Sequence, residues 1–306
     1  MKRSTVAVYI SAIAFTAFAL SFPGRVSAAA SAGLSLFVAS VLPTLLPFFF
    51  LTSVISTVGV PRLRLLSRAT GWLFNTPDTD GYITLTGVFA GYPTGAKLIG
   101  EADLTTGDAE AISAHASLPG LMFVVGTVGT AILKSNRGIS LWLIQLVAAL
   151  INGIIFRKRQ SAPKMPPAPA QSSHGTFVTA VSSATASALS VGLFVALGSV
   201  AVEVLRITGL PDFLAQTLSC IGADKSLTFG AISCILEMTC GIAHLAVSPS
   251  PLSLPCISFA LGFGGLSVMA QSLSLSQGKV SASKYLVRKL TQGTIAFLLT
   301  VPLVLL

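Results

Sequence analysis

Gly91-Tyr92-Pro93-Thr94-Gly95 interrupts an otherwise apolar stretch over 82–102, and Glu237-Met238-Thr239-Cys240-Gly241 interrupts a second over 226–247. Each flank is about ten residues, or roughly 15 Å of helix, which is half the ~30 Å thickness of bilayer hydrocarbon. Proline removes an amide donor and glycine admits tight turns. Both stretches therefore read as helical hairpins that enter the membrane and turn back at its midplane. Backbone of this kind is tolerated only inside protein or beside a wet cavity, because unpaired amides in lipid are costly.

Composition agrees with a membrane reading. The chain has 306 residues, of which 53% are hydrophobic and 9% charged, and its mean hydropathy is +0.83. Soluble domains carry roughly 25% charged residues, so this chain cannot cover its surface in water. That excludes a soluble enzyme, a disordered chain and a nucleic-acid binder. The class is all-α and polytopic, with the lipid bilayer as its first partner. Full spans are predicted near 6–22, 41–58, 117–134, 138–156, 188–205, 253–275 and 287–306. Val26 to Ser40 and Thr176 to Ser187, weakly amphipathic, read either as short interfacial helices or as extensions of the spans that follow. At the N-terminus, Lys2 and Arg3 precede the apolar run and Val26-Ser27-Ala28 follows it. A retained first helix over 1–25 is the expectation, with a cleaved signal peptide as the other reading.

The net charge of +9 reads as loop charge. With a cytoplasmic N-terminus and neither hairpin crossing, the inner loops hold thirteen Lys and Arg residues, among them Arg62, Arg64, Arg68, Arg157, Lys158, Lys284, Arg288 and Lys289. The outer loops hold five: Arg25, Lys134, Arg137, Arg206 and Lys225. Positive charge favours the cytoplasmic side, so the C-terminus is expected outside a bacterial cytoplasmic membrane. A basic, Pro-rich linker over 157–175 divides the chain into units 26–156 and 176–306. Gly91 precedes Glu237 by 146 residues, and Leu118-Pro119-Gly120 precedes Gly262–Gly265 by nearly as many. The units read as two inverted repeats, the architecture of secondary transporters.

Glu237 is the only acid after Asp224. A carboxylate at bilayer depth is expensive unless paired, wet or protonated, so it reads as a solute-, cation- or proton-binding group, against a static partner for a backbone amide or for Lys97. Lys97 either meets the tip or snorkels outward. Thr94, Ser117, Thr239, Ser267 and Gln271 add hydroxyls and an amide near the breaks made by Gly91, Pro93, Gly95, Pro119, Gly241, Gly264 and Gly265. These same polar groups also serve to hold membrane helices together. Asp108 and Glu110 read as first-turn acids of a helix capped by Thr105-Thr106. His115 and His244 read as packing or capping residues. Cys220, Cys234, Cys240 and Cys256 lack metal-ligand spacing, so neither a metal nor a cofactor is expected. No nucleophile–base arrangement points to an enzyme.

The order of motifs carries a resemblance. Leu42-Pro43-Thr44-Leu45-Leu46-Pro47-Phe48-Phe49, Gly91-Tyr92-Pro93-Thr94-Gly95-Ala96-Lys97, Glu237-Met238-Thr239-Cys240-Gly241 and Phe263-Gly264-Gly265-Leu266-Ser267-Val268 with Gln271 together resemble the YlbJ-type sporulation integral membrane proteins, which carry the nucleoside recognition, or gate, domain. The resemblance implies a multi-pass membrane protein linked to spore cortex formation. It also implies hairpins similar to those of concentrative nucleoside transporters, with Thr94, Glu237, Thr239, Ser267 and Gln271 at the site. Ser113 to Pro119 stands where the family has an Asn-rich stretch. The expected function is a transporter-like binder of a small polar, nucleoside-like solute or an ion. The alternative is a non-transporting scaffold for cortex assembly. A second copy of the chain is a compatible partner.

Overall fold

A computed structural model describes residues 15–58, 63–158, 177–218, 224–248 and 250–305, together with 9 and 13. Most of the linker, and the start of the chain on which the choice between first helix and signal peptide turns, lie outside these residues. The described residues form helices and connecting turns, with no strand among them.

In the first unit, α1 (Pro23–Leu36) passes through a wide π turn, Phe37–Val41, into α2 (Leu42–Val58). Then come α3 (Arg64–Phe74), α4 (Asp80–Ala90), α5 (Tyr92–Glu101), α6 (Thr106–Ala116), the π-wound α7 (Phe123–Ile132) and α8 (Arg137–Ile155). The second unit holds α9 (Phe177–Ile207), α10 (Leu210–Leu218), α11 (Lys225–Leu236), α12 (Met238–Ala246), α13 (Ser253–Phe263), α14 (Gly265–Leu275), α15 (Ala282–Thr300) and the short α16 (Pro302–Leu305). Helix starts recur at a nearly constant offset of 145–147 residues: Arg64 and Leu210, Asp80 and Lys225, Tyr92 and Met238, Thr106 and Ser253, Arg137 and Ala282.

Among the described residues four helical stretches are long and apolar enough to cross a membrane: Pro23–Val41, Arg137–Ile155, Phe177–Ile207 and Ser253–Leu275. The chain is thus a polytopic helical membrane protein. Several expected spans differ from this. The one expected over 117–134 loses its first turn to the non-helical Ser117–Gly120, leaving the short apolar helix Phe123–Ile132. The one expected over 41–58 is met by α2, Leu42–Val58, at 17 residues. The stretch over 287–306 belongs to a helix that starts at Ala282 and carries Lys284, Arg288 and Lys289. Of the two readings of 26–40 and 176–187, extension of the following spans holds over the described residues. Val26 to Ser40 runs through α1 and the π turn, and α9 is one rod of 31 residues, roughly 46 Å long.

α9 is the spine, packing against both α1 and α2. The α1 contact depends on small residues, as close approach between membrane helices usually does. A Cβ added at Gly33 would collide with Ser199 Oγ and lie 3.1 Å from the Ala196 backbone. Gly33→Val is expected to cost about 1–3 kcal/mol through overpacking, read as a lower melting temperature of the purified protein. An unchanged melt would show that α1 is free to move away from α9.

Two pairs of helices fold back on themselves. In α11 and α12, Gly241 lies against the Cys234 backbone and Gly230 against Leu245, so residues equidistant from the turn meet. In α4 and α5, Gly95 packs against Gly87 about a turn at Gly91. The interruptions are narrower than the sequence implied. Only Gly91 leaves the helix in the first, and only Glu237 in the second. Pro93 continues α5 because it sits in the first turn, where amides have no intrahelical partner. Met238 to Gly241 continue as α12 because Glu237 caps them.

Candidate functional site

Each turn abuts a break in a neighbouring helix. A Cβ on Gly91 would stand 2.7 Å from the Gly120 amide nitrogen, so the first turn rests on Pro119-Gly120 between α6 and α7. Gly265 stands in the same relation to the second turn, with its missing Cβ 2.9 Å from the Cys234 carbonyl and 3.1 Å from the Met238 nitrogen. Gly91, Gly264 and Gly265 have φ of 91°, 86° and 76°, a region that other residues enter at a cost. The two turns also meet each other. Tyr92, first residue of α5, donates its hydroxyl to the Leu261 carbonyl at the end of α13 and reaches Met238 Sδ, first residue of α12, at 3.8 Å.

Of the residues singled out in the sequence, Glu237 is buried, with 1% of its surface exposed. Its Oε2 accepts the Cys240 amide at 2.6 Å, so the carboxylate caps its own helix, and its stem fills the space left by Gly198 of α9. Thr239 is buried beside it, and Thr94 is buried with no partner for its hydroxyl. Ser117 is buried at the end of α6, and Gln271 is buried with its amide nitrogen unpartnered. Ser267 is half-buried. Lys97 does not meet Glu237. It bonds the Ser183 hydroxyl on α9 and lies 3.9 Å from Glu101, because about one and a half turns of α5 carry it away from the tip. Among the described residues no cluster of His, Cys, Asp or Glu could hold a metal ion.

Two of the cations counted as loop charge are inside the protein. Lys289 is 1% and Arg288 8% exposed. Lys289 donates to the Ser117 carbonyl at 2.7 Å and to Gln292 Oε1 at 2.9 Å, and stands 4.8 Å above the Tyr92 ring. Arg288 lies 3.8 Å from Glu110, which Lys284 also pairs with at 2.8 Å. Glu110 is therefore a buried partner of α15 rather than an acid serving the helix dipole. Thr105 caps α6 as its position implied, accepting the Asp108 amide at 3.2 Å, and the Asp108 carboxylate pairs with Lys158 at 2.7 Å. The available signal for α15 was the presence of two cations within a predicted span.

Asp80 and His115 form a buried pair that no spacing in the sequence signals. His115 Nε2 lies 3.1 and 3.0 Å from the two carboxylate oxygens. Thr84 donates to Asp80 Oδ1 at 2.7 Å and Thr76 donates to Oδ2. Phe74 stacks on the imidazole at 3.8 Å. Asp80 precedes the apolar stretch of the hairpin. Burial pushes its carboxyl up, but His115 and the two threonine hydroxyls outweigh that and hold it below the usual carboxylate range.

A small cavity lies between the units, lined by Ala96 and Ile99 of α5, Ser113 of α6, Ser117, Ser272 and Leu273 of α14, Ser276, Val280 and Tyr285 of α15. Its accessible walls are almost wholly apolar and carry no formal charge.

No protein-family model matches the chain, and no solved structure does. The chain is similar to the sporulation integral membrane protein YlbJ of Bacillus subtilis (strain 168). The two are 26% identical over 336 aligned positions, covering 96% of this chain and 81% of that protein.

Proposed function

Taking the chain as a YlbJ-type integral membrane protein, an assignment supported by similarity along nearly its whole length, we propose that it binds a small polar solute or an ion between two inverted repeats, in the manner of a transporter. The observation that carries this is the meeting of the two turns. Tyr92 and Met238, each the first residue after a break and 146 positions apart, touch across the boundary between the units. Each turn rests on a second break within its own unit. In secondary transporters, discontinuous helices converge in this way on a midplane site, and one repeat rocks against the other around it.

In this reading α4–α5 and α11–α12 are re-entrant hairpins, and seven spans cross a bacterial cytoplasmic membrane with the N-terminus inside and the C-terminus outside. The protein serves sporulation through formation of the spore cortex. Glu237 is the charge at the second tip, and Thr94, Thr239, Ser117, Ser267 and Gln271 supply the polar surroundings.

Glu237→Gln tests the role of that charge, because glutamine keeps an oxygen that can cap α12. A solute found by thermal-shift screening of nucleosides, small polyols and alkali cations is expected to raise the melting temperature of the natural protein. It should fail to do so for Glu237→Gln, whose melt without solute stays near the natural value. Equal solute shifts in both proteins would reduce Glu237 to a cap. The absence of any shift across the screen would favour the scaffold instead.

A further inference from the structure

We propose that α3 lies in the membrane interface and holds the headgroup of an anionic phospholipid through Arg64 and Arg68. At about 100° per residue, the helix divides into three sectors. Ser67, Thr70 and Phe74 form one, buried against the protein. Arg64 and Arg68 form the second, and both are exposed. Trp72, Leu65 and Ala69 form the third, also exposed, with Leu66 and Leu73 half-buried along its edge. Leu65 is 83% and Trp72 76% exposed. Large apolar groups set side by side on a helix that is docked by its other face mark a surface that something covers. An apolar sector flanked by arginines, with a tryptophan at the join, is the pattern of a helix lying in the plane of a membrane.

Position supports the same occupant. Ser67 donates its hydroxyl to the Asp78 carbonyl at 2.6 Å, and a Cβ on Gly81 would stand 2.6 Å from the Ser67 nitrogen, so the middle of α3 rests on the first turn of α4. Phe74 fills the space left by Gly153 in the last turn of α8, and its carbonyl accepts the Lys158 amide at 3.3 Å. α8 is long and apolar enough to cross a membrane. α3 therefore passes across helix ends, where a span leaves the hydrocarbon, and the bilayer around α8 continues to its apolar sector.

Charge selects the headgroup. Among the described residues no carboxylate lies within ion-pairing distance of Arg64 or Arg68, whereas Arg25, Lys158, Arg206, Lys225 and Lys284 each have one. One turn apart on the same side of the helix, the two guanidiniums present a pair of forks that match phosphate oxygens. A zwitterionic lipid offsets its phosphate with its own cation, so an acidic lipid is preferred. α10 starts 146 residues after α3 and carries no lysine or arginine, and its Asp212 pairs with Lys225 at 2.5 Å. The arginine pair thus belongs to α3 alone of the two. Only the side of the membrane rests on the inverted topology proposed above. In that topology α3 meets the cytoplasmic leaflet, which is rich in anionic lipid, and α10 meets the other.

The test reads Trp72 fluorescence from the full chain in lipid vesicles. Trp142→Phe leaves Trp72 as the one tryptophan. The vesicles are phosphatidylcholine with a small, fixed share of phosphatidylglycerol. Acyl-chain bromine, which quenches tryptophan on contact, is carried either by the phosphatidylglycerol or by an equal amount of the phosphatidylcholine. Quenching is expected to report a roughly fivefold or greater preference for the anionic lipid at α3, shrinking in concentrated salt. Arg64→Gln combined with Arg68→Gln should bring the two lipids to near parity, with Trp72 still quenched by both. Equal quenching before the arginines are changed, or a preference that survives the double variant, would overturn the headgroup site. No quenching by either lipid would put α3 outside the bilayer and give its face to a protein partner, which also overturns the proposal. Should Trp142→Phe fail to fold, the same signal is the difference between the natural protein and its Trp72→Phe variant. No solute enters the measurement, so its outcome is independent of the Glu237→Gln result.

Discussion

Gly91→Ala will destabilise the protein by about 2–5 kcal/mol, from a backbone cost of ~1–2 kcal/mol for a left-handed φ and an overpacking cost of ~1–3 kcal/mol. Both arise at one atom. The φ of 91° is poorly suited to an L side chain, and the added Cβ would lie 2.7 Å from the Gly120 nitrogen and 3.2 Å from its Cα. The obstacle is backbone, so it cannot swing aside as a side chain could. Relief requires either the α4–α5 turn to open or the chain between α6 and α7 to retreat, and the second movement would carry Ser117, with its bond to Lys289, away from α15. Gly209→Ala is the control. Its φ of 70° is also positive, but nothing lies within 4 Å of its missing Cβ, so only the backbone cost of ~1–2 kcal/mol applies. Heat or SDS unfolding of the two purified variants separates the contributions. If Gly91→Ala unfolds alongside Gly209→Ala, the first turn is not held against the second break.

The same residues show what a sequence can disclose here. Gly91, Pro119 and Gly264 announce breaks because glycine and proline alter the backbone locally, and local chemistry is written one residue at a time. The recurrence of element starts was visible for a related reason: the spacing of Gly91 from Glu237 is a property of the chain rather than of its packing. Lys289 was misplaced because a cation near the start of a span ordinarily snorkels to the surface. Only the packing of α15 against α6 and α13 reveals that its ammonium is enclosed. Tyr285 and Ser272 carried no signal at all, since neither stands beside a break, and their meeting with Ser117 joins three segments distant in sequence. Asp80 and His115 are 35 positions apart, and no spacing rule pairs them. Tertiary pairing of buried polar groups was therefore the part that remained hidden, and it includes the meeting of Ser117, Ser272 and Tyr285.

Asp80→Ala is expected to cost about 3–5 kcal/mol, the loss typical when one partner of a buried charged pair is removed and the other stays enclosed. The side chain is 0% exposed and it serves three neighbours at once. An ionised carboxylate only accepts hydrogen bonds, so His115 Nε2 is the donor to it, as are the hydroxyls of Thr76 and Thr84. Alanine leaves His115 Nε2 buried without an acceptor and removes the carboxylate from the hydroxyls of Thr76 and Thr84, while Phe74 and the tight contact of Gly153 with the His115 stem hold the imidazole in place. Asp80→Asn should cost less, because the amide oxygen still accepts one or two of these bonds. A double-mutant cycle with His115→Ala isolates the pair, and the two losses should add to clearly more than the double variant shows. The pH dependence has a definite sign. A carboxyl held below its usual range contributes stability above its unfolded-state pKa and loses it as the pH falls through the folded-state value. Asp80 thus steepens acid unfolding below about pH 4, and Asp80→Ala should flatten the melting profile there while remaining less stable at neutral pH. Parallel acid profiles for the two proteins, or strict additivity in the cycle, would mean that Asp80 and His115 are neighbours without being coupled.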